Sequence, residues 1–259
     1  MKKLFCITLL LYYTSALWAQ TNEMRMVNHA IDFLDVPYVA HTLEVNDTEQ
    51  LVINCDEVDC TTLVEYVMAM SLTPIIDNDI SETDFADKLM CIRYRNGKID
   101  GYTSRLHYIT EWVKNSIKMG FLEDITAIHS SFTMKVNLNY MTTHPHLYKH
   151  LANSPENVAK MKAIEKELSD TEFHYIPKEE LPHTGRSWIK SGDIICLTTN
   201  IPGLDVSHLG IAFYADGKLS LLHASYKDKK VMISKVSLSQ MMASSENWTG
   251  IRVLRVKAQ

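Results

Sequence analysis

The Asp216-Gly217 dipeptide constrains the fold of this chain more than any other feature of the sequence. It lies between two runs of alternating or β-branched residues, SHLGIAFY before it and KLSLLHAS after it. Asp-Gly favours the two-residue type I′ turn of antiparallel strands, because both turn positions need a positive φ. The sequence therefore predicts a β-hairpin in which Ala215 pairs with Lys218.

The same hairpin is predicted to bring two histidines together. Counting back from the turn pairs Gly210 with His223, and the same register pairs His208 with Ser225. His208 and His223 would then be diagonal neighbours on one face, about 7–8 Å apart at the backbone. Gly210 would leave room for the second ring. Each histidine alone is more often a half-buried strand residue, but two on one face suit a general base and the group that orients it.

The remaining strand signals lie near the hairpin, and the helical signals come earlier. GDIICLTTN and GIRVLRVKA read as strands, whereas apolar spacing predicts helices over 23–36 and from Cys60 to Leu72. A region of about residues 75–182 is rich in helical patterns, and in it Ser154 is expected to cap a helix with Pro155 in its first turn. Helices followed by a strand meander indicate an α+β fold. We expect one domain over 20–259, with 75–182 as a large helical insertion.

The first nineteen residues predict a signal peptide. Lys2 and Lys3 precede the apolar run LFCITLLLYYTSALWA, which contains small residues at Ala16 and Ala19. We therefore expect export to the periplasm or the exterior, with no stable membrane insertion, since no later segment reaches spanning length. The chain has a formal net charge of −5 and no basic patch, which argues against nucleic acid as a partner.

Cys60 is the candidate nucleophile. It follows the acidic run DEVD, in which Asp59 or Asp56 can cap the predicted helix, so that unpaired N–H groups at the helix start would lower the thiol pKa. The same N–H groups could stabilise an oxyanion. A buried cysteine, or a disulfide with Cys55 in an oxidising compartment, would explain the same position. A nearby imidazole, such as those of the two hairpin histidines, is what favours a nucleophilic role for Cys60 over these two alternatives.

Two further patterns could carry chemistry. HPH at 144–146, followed by His150, is rich in potential metal ligands, but its spacing matches no strong zinc pattern and the chain lacks HExxH. We expect no metal and no other cofactor. In the run SRLHY, Ser104, Arg105 and His107 precede a helix and could bind a carboxylate or a sugar, or form an ordinary solvated helix start.

Several of these runs together resemble a known family. VPYVAHTLEV, EVDCTTLVEYVMAM, SGDIICLTTNIPGLDVSHLGIAFY and LLHAS are similar to the N-acetylmuramoyl-L-alanine amidase-like family of the NlpC/p60 (papain-like) cysteine peptidase superfamily. The resemblance implies a nucleophile helix packed on an antiparallel sheet. It also implies Cys60 as nucleophile, His208 as base and His223 as orienting residue. Tyr38 and Asp59 would be active-site neighbours that help to bind substrate.

The resemblance further implies an activity and a substrate. The chain would hydrolyse the amide between N-acetylmuramic acid, or its anhydro form, and L-alanine in peptidoglycan fragments. An NlpC-type endopeptidase cutting γ-D-glutamyl–diamino acid bonds, a non-catalytic cell-wall-binding module and a zinc-dependent amidase are the alternatives. Cys55 departs from the pattern, since an apolar residue is expected there, and it leaves an inhibitory Cys55–Cys60 disulfide open.

Overall fold

Helices and strands are mixed along the chain. A computed structural model describes residues 21–76 and 79–257, so the predicted signal peptide lies outside the described residues. The helices are α1 (Asn22–Asp32), α2 (Cys60–Leu72), α3 (Glu82–Arg93), α4 (Ile109–Lys118), α5 (Ile125–His129), α6 (Tyr140–Thr143), α7 (Lys149–Ala152), α8 (Pro155–Leu168) and α9 (Leu238–Ala243). The strands are β1 (Ile75–Ile76), β2 (Asp79–Ile80), β3 (Leu122–Asp124), β4 (Thr133–Lys135), β5 (Glu172–His174), β6 (Ile176–Pro177), β7 (Ile194–Thr199), β8 (Val206–Ala215), β9 (Lys218–Ser225), β10 (Lys230–Ile233) and β11 (Trp248–Val256).

One antiparallel sheet organises the fold. Its strands lie in the order β10-β9-β8-β7-β11-β3, and β6 also pairs with β11. Neighbours in sequence are neighbours in space from β7 to β10, as expected for a meander. The prediction of an α+β protein with an antiparallel sheet is confirmed.

The predicted hairpin is formed by β8 and β9. Asp216 and Gly217 have φ angles of +50° and +71°, as a type I′ turn requires. The paired residues run from Ala215–Lys218 to Ile211–Leu222 and end there. The register is therefore confirmed near the turn, whereas the two pairs predicted beyond it are not among the paired residues.

The sheet separates two apolar cores. On one face Cys196, Leu209 and Leu222 pack with α1 and α2, and on the other face Ala212 and Leu221 pack with α9. Adjacent residues of a strand point to opposite faces, so His208 lies on the α9 face while its neighbour Leu209 contacts the α2 side. The two faces of the sheet therefore carry different parts of the candidate site.

Helix α2 is buried on nearly all sides because it lies between the sheet and helices α1 and α3. The sequence predicts an apolar stripe, but the burial extends to Glu65, of which only 2% is exposed. Its Oε2 accepts a hydrogen bond from Arg93 Nε at 2.6 Å. A buried carboxylate without such a partner would cost several kcal/mol, about 3–5 by analogy with broken buried pairs. The ion pair with Arg93 therefore allows α2 to be buried although it carries Glu65.

The bounds of the long helices agree closely with the sequence patterns. Helix α2 spans the predicted residues, and α8 begins at Pro155, where the Ser154 hydroxyl accepts a hydrogen bond from Asn157 N–H. The first helix ends at Asp32, although the pattern extends to Val36. Asp35 has φ +68° and Val36 N–H donates to Phe33 O, so the chain turns before Pro37.

The region 75–182 contains α3 to α8, which agrees with its helical patterns. It also contains short strands, and two of them, β3 and β6, pair with β11 of the main sheet. The region is thus joined to the sheet at two places. Whether it is an insertion in a single domain stays a prediction. None of the helices within 21–76 and 79–257 is both long enough and apolar enough to span a bilayer.

Candidate active site

Cys60 is the first residue of α2, and the turn around it is held by a capping box. Asp59 Oδ1 accepts hydrogen bonds from Thr61 N–H at 3.0 Å and from Thr62 N–H at 2.8 Å. Thr62 Oγ1 in turn accepts from Asp59 N–H at 2.8 Å. Such reciprocal bonds fix the start of a helix. Asp59 is therefore the cap, and its predicted part in substrate binding stays a prediction.

The thiol of Cys60 is partly buried and is not acidic. Burial, followed by the nearby charge of Asp59, raises its pKa to about 12, while hydrogen bonds from the Leu209 backbone and the Thr61 side chain act in the lowering direction. The expectation of a lowered pKa is wrong, because loss of hydration outweighs the helix N-terminus. The thiol is protonated at neutral pH, so attack would need a base.

Tyr38 lies beside this thiol. Its N–H donates to Lys229 O at 2.9 Å, and it forms a parallel bridge with Val58, two residues before Cys60. Its ring meets Tyr226 edge to face, with centroids 5.6 Å apart. Burial, and then the nearby Cys60, raise the pKa of Tyr38 to about 12. The predicted proximity of Tyr38 to Cys60 therefore agrees with these contacts, and its role in binding stays a prediction.

His208 and His223 are joined directly. His208 Nε2 and His223 Nδ1 lie 2.8 Å apart, and the two rings are almost perpendicular, at 87°. One nitrogen must donate and the other accept. If His208 Nε2 carries the proton, His208 Nδ1 has a free lone pair, and a general base needs such a lone pair to accept a proton.

The histidines meet for a reason that differs from the expected one. Pairing of β8 with β9 ends at Ile211–Leu222, before either histidine is reached. A Cβ at Gly210 would lie 2.6 Å from Leu221 Cγ and 2.9 Å from Leu222 O. Gly210 thus makes room for Leu221 and the neighbouring backbone, and not for a histidine ring as the sequence predicted.

Both histidines are neutral over a wide pH range. Burial, and then the charge of His223, lower the pKa of His208 to about 3. Burial lowers the pKa of His223 to about 4, although the nearby Asp228 acts in the raising direction. At neutral pH both imidazoles are therefore unprotonated, while the Cys60 thiol is protonated.

A cavity of about 630 Å³ opens beside the histidine pair, a volume in the range of small-ligand sites. His208 and His223 line it, together with Ser207, Ser225, Tyr226, Lys227, Asp228, Met232, Ser234, Lys235, Val236, Gln240, Met241, Ser244 and Trp248. The Trp248 ring stacks near His208 with centroids 6.3 Å apart, and its Nε1 donates to Ser207 Oγ. The sequence analysis missed Trp248 and the 226–228 turn, because nothing local shows which exposed residues face a site.

The contacts place Ser104, Arg105 and His107 elsewhere. Arg105 is 8% exposed and makes a two-point pair with Glu49, at 2.9 and 2.7 Å. Ser104 Oγ donates to Gly101 O, and His107 Nε2 donates to Tyr102 O at 3.0 Å. None of the three lines the cavity beside the histidines. Each has a structural partner, and their predicted role in substrate recognition stays a prediction.

His144, one of the possible metal ligands, contacts Tyr140. His144 Nδ1 donates to Tyr140 O and the His144 ring stacks on the Tyr140 ring, with centroids 4.4 Å apart. Within the described ranges 21–76 and 79–257, no three His, Cys, Asp or Glu side chains are grouped as metal ligands. Cys55 and Cys60 are both free thiols.

Comparisons with known proteins identify the family. The model of the AmiA-like, N-acetylmuramoyl-L-alanine amidase-like family matches residues 28–251. The chain belongs to this amidase-like family. Comparison with curated proteins finds no match.

Similar solved structures include one that is named an amidase. A crystal structure of an N-acetylmuramoyl-L-alanine amidase from Bacteroides uniformis is 64% identical, covers 90% of this chain and 99% of its own, and has a TM-score of 0.89. A Bacteroides fragilis protein provisionally described as a xylanase is 59% identical, with coverages of 88% and 99% and a TM-score of 0.86. A Legionella pneumophila protein at 24% identity, with coverages of 92% and 89% and a TM-score of 0.71, shares the fold.

Proposed function

We propose that the chain is an exported cysteine amidohydrolase of the NlpC/p60 superfamily. Its reaction would cleave the amide between N-acetylmuramic acid, or its anhydro form, and L-alanine in peptidoglycan fragments. The observation that carries the proposal is the hydrogen-bonded His208–His223 pair next to Leu209, whose backbone acts on the Cys60 thiol. Membership of an amidase-like family supports the bond type.

The chemistry starts from neutral partners. His208 Nδ1 takes the thiol proton as Cys60 Sγ attacks the lactyl carbonyl carbon, and His223 Nδ1 accepts the Nε2–H of the imidazolium that forms. The C–N bond then breaks, and His208 returns the proton to the leaving L-alanine nitrogen. Water attacks the thioester, its proton passes to His208, and the thiol is restored as the acid departs.

The start of α2 supplies charge stabilisation. The carbonyl oxygen becomes an oxyanion when Cys60 attacks, and the backbone N–H groups of a helix start are the donors such an oxyanion needs. Asp59 occupies Thr61 N–H and Thr62 N–H, so the amide of Cys60 itself is the donor we propose. The capping box would hold this amide in place during turnover.

A glycosidase reading of the same site is less well supported. Glycoside hydrolysis uses two carboxyl groups that flank the scissile bond. Among the residues that line the cavity, Asp228 is the one carboxylate, and Ser225 Oγ donates to its Oδ2 at 2.7 Å. A cysteine with two histidines suits acyl transfer, so we do not extend the xylanase description of the Bacteroides fragilis relative to this chain.

Product analysis tests the proposal. Mass spectrometry of a disaccharide tetrapeptide incubated with the protein should show the free disaccharide acid and the intact tetrapeptide. Shorter peptides cut at the γ-D-glutamyl bond would show that the protein is an endopeptidase. If no product forms, the alternative of a non-catalytic binding module would be supported.

Variants and inhibitors test the nucleophile. Folded Cys60→Ala protein should be inactive, iodoacetamide should inactivate the parent protein, and EDTA should not. Activity lost to EDTA and kept by Cys60→Ala would favour a zinc amidase.

A further inference from the structure

We infer that the cavity beside the histidine pair binds the stem peptide of the substrate, and that Lys227 and Lys235 bind its carboxylates. The inference rests on the proposed function, which fixes neither the side of the site that holds the peptide nor the residues that bind it. Lys227 and Lys235 both line the cavity.

The direction of the substrate follows from the proton transfer. His208 must reach the leaving nitrogen of L-alanine to protonate it, so the peptide lies on the side of the thiol where the histidines are. His208 and His223 line the cavity, whereas Cys60 and Tyr38 do not. The leaving group therefore extends into the cavity, and the acyl group, which carries the sugar, lies on the side of Tyr38.

The charge of the cavity matches a peptide rather than a sugar. A stem peptide carries several carboxylates, while the disaccharide is uncharged. Lys229 lies over the Tyr226 ring at 3.6 Å and Lys230 pairs with Asp35, but among the described residues no carboxylate lies within 4.0 Å of Lys227 or Lys235. Two unpaired ammonium groups in a chain of net charge −5 form a local cationic site.

One carboxylate, that of Asp228, also lines the cavity, so the two lysines outnumber it there. Asp228 is held by Ser225, whose Oγ donates to Asp228 Oδ2 and accepts from Asp228 N–H at 3.0 Å. The apolar part of the wall, formed by Met232, Met241 and Trp248, suits the methyl and methylene groups of a peptide. A cavity with this lining binds an extended chain that is apolar along its length and anionic at defined points.

Kinetics of lysine variants tests the inference. Lys227→Ala and Lys235→Ala should each raise KM for the disaccharide tetrapeptide about tenfold and change kcat less than about twofold, because a charge-assisted hydrogen bond is lost. Both effects should nearly disappear for a substrate whose peptide carboxylates are amidated. Lys218→Ala, at the turn end of the same hairpin, is the matched control. An unchanged KM in the double variant would overturn the inference.

A binding measurement separates this inference from the proposed function. The tetrapeptide alone, titrated calorimetrically into Cys60→Ala protein, should bind, with an affinity that falls as salt is added. Cys60→Ala protein that also carries both lysine substitutions should bind it at least about tenfold more weakly. Equal affinities would reject the lysine site even if the parent cleaves the amide. If the peptide binds through the lysines but the parent protein cleaves no substrate, the proposed reaction would be rejected and the lysine site would be kept.

Discussion

The histidine pair shows how single residues divide the chemistry. His223 is 6% exposed and accepts or donates one hydrogen bond through Nδ1, so in the proposed mechanism it would act through His208. In the proposed mechanism, His208 is the group that exchanges a proton with the Cys60 thiol. Loss of the base should therefore be nearly as damaging as loss of the nucleophile, since the two act as a unit.

The first prediction follows from this division. His208→Ala should lower kcat/KM by about 10³-fold or more, and His223→Ala should leave measurable turnover. His223→Asn or His223→Gln should retain more activity than His223→Ala, because an amide oxygen can accept the His208 Nε2–H. Steady-state kinetics on folded protein measures all four variants. A dead His223→Ala beside an active His208→Ala would reverse the two roles.

The second prediction concerns pH. The pKa of His208 is lowered to about 3, so the base stays unprotonated well below the ordinary histidine value of about 6.5. The acid limb of kcat/KM should consequently lie below pH 6, provided that the protein is folded. A profile of kcat/KM against pH, with circular dichroism at each pH, measures it. An acid limb at pH 6.5 in folded protein would show that the imidazole is hydrated.

The third prediction concerns Arg105 and Glu49. Arg105→Ala would remove the cation that pairs with the buried Glu49 carboxylate and leave Tyr94 Oη as its donor, so we expect a loss of about 3–5 kcal/mol of stability. Arg105→Met combined with Glu49→Leu should recover much of it. Denaturant unfolding measures stability, and kinetics on the same samples measures KM. A higher KM with unchanged stability would instead support the substrate role predicted from the sequence.

At the scale of elements, α4 is capped by a residue from far along the chain. Tyr108, at its N-cap, makes no side-chain cap bond. Asp205 lies before β8 and supplies the cap, since its Oδ2 accepts from Thr110 N–H at 2.5 Å and its Oδ1 from Val206 N–H at 2.8 Å. One carboxylate thus ties α4 to the strand that carries His208.

The fourth prediction tests this tie. Asp205→Ala should cost about 1–2 kcal/mol, typical of a lost helix cap, and Asp205→Asn should cost less because it keeps an acceptor oxygen. Asp87→Ala, an exposed position on α3, is the control. Chemical denaturation of the three variants measures the difference. Equal stability of Asp205→Ala and Asp87→Ala would show that water satisfies Thr110 N–H equally well.

The whole molecule should lose stability in acid because its buried histidines are neutral in the folded state and bind protons more readily when the chain unfolds. Burial lowers the pKa of His107 and of His208 to about 3, and that of His223 to about 4. Unfolded histidines bind a proton near pH 6.5. The unfolded chain therefore holds more protons below that pH, so stability is greatest above it and decreases as the pH falls towards 3–4.

The fifth prediction gives this effect a size. Each of the three histidines contributes up to about 1.4 kcal/mol per pH unit between its folded and unfolded pKa values. Denaturant unfolding at pH 7, 6 and 5 should show the decrease, and His107→Gln should make it shallower. His129→Gln is the control, because His129 is exposed and stacks on Trp188. A pH-independent free energy of unfolding would mean that the three histidines are hydrated.

Local signals determined much of this protein. The Asp216-Gly217 turn set the hairpin register as far as Ile211–Leu222, and the residues around Cys60 set the first turn of α2. Each depends on contacts within a few residues, where backbone geometry and capping act alone. The sequence predicted that the two histidines lie close together, but the pairing ends before either of them, so their contact is not set by this register.

Other properties were decided by the tertiary structure alone. The raised pKa of Cys60, the Arg105–Glu49 pair and the Asp205 cap of α4 each depend on burial or on a partner far along the chain. The cavity combines residues from β8, β9, α9 and the start of β11, which no local pattern connects. Hydration is lost only when distant elements pack together, so side-chain charge and the shape of the site follow from the complete fold.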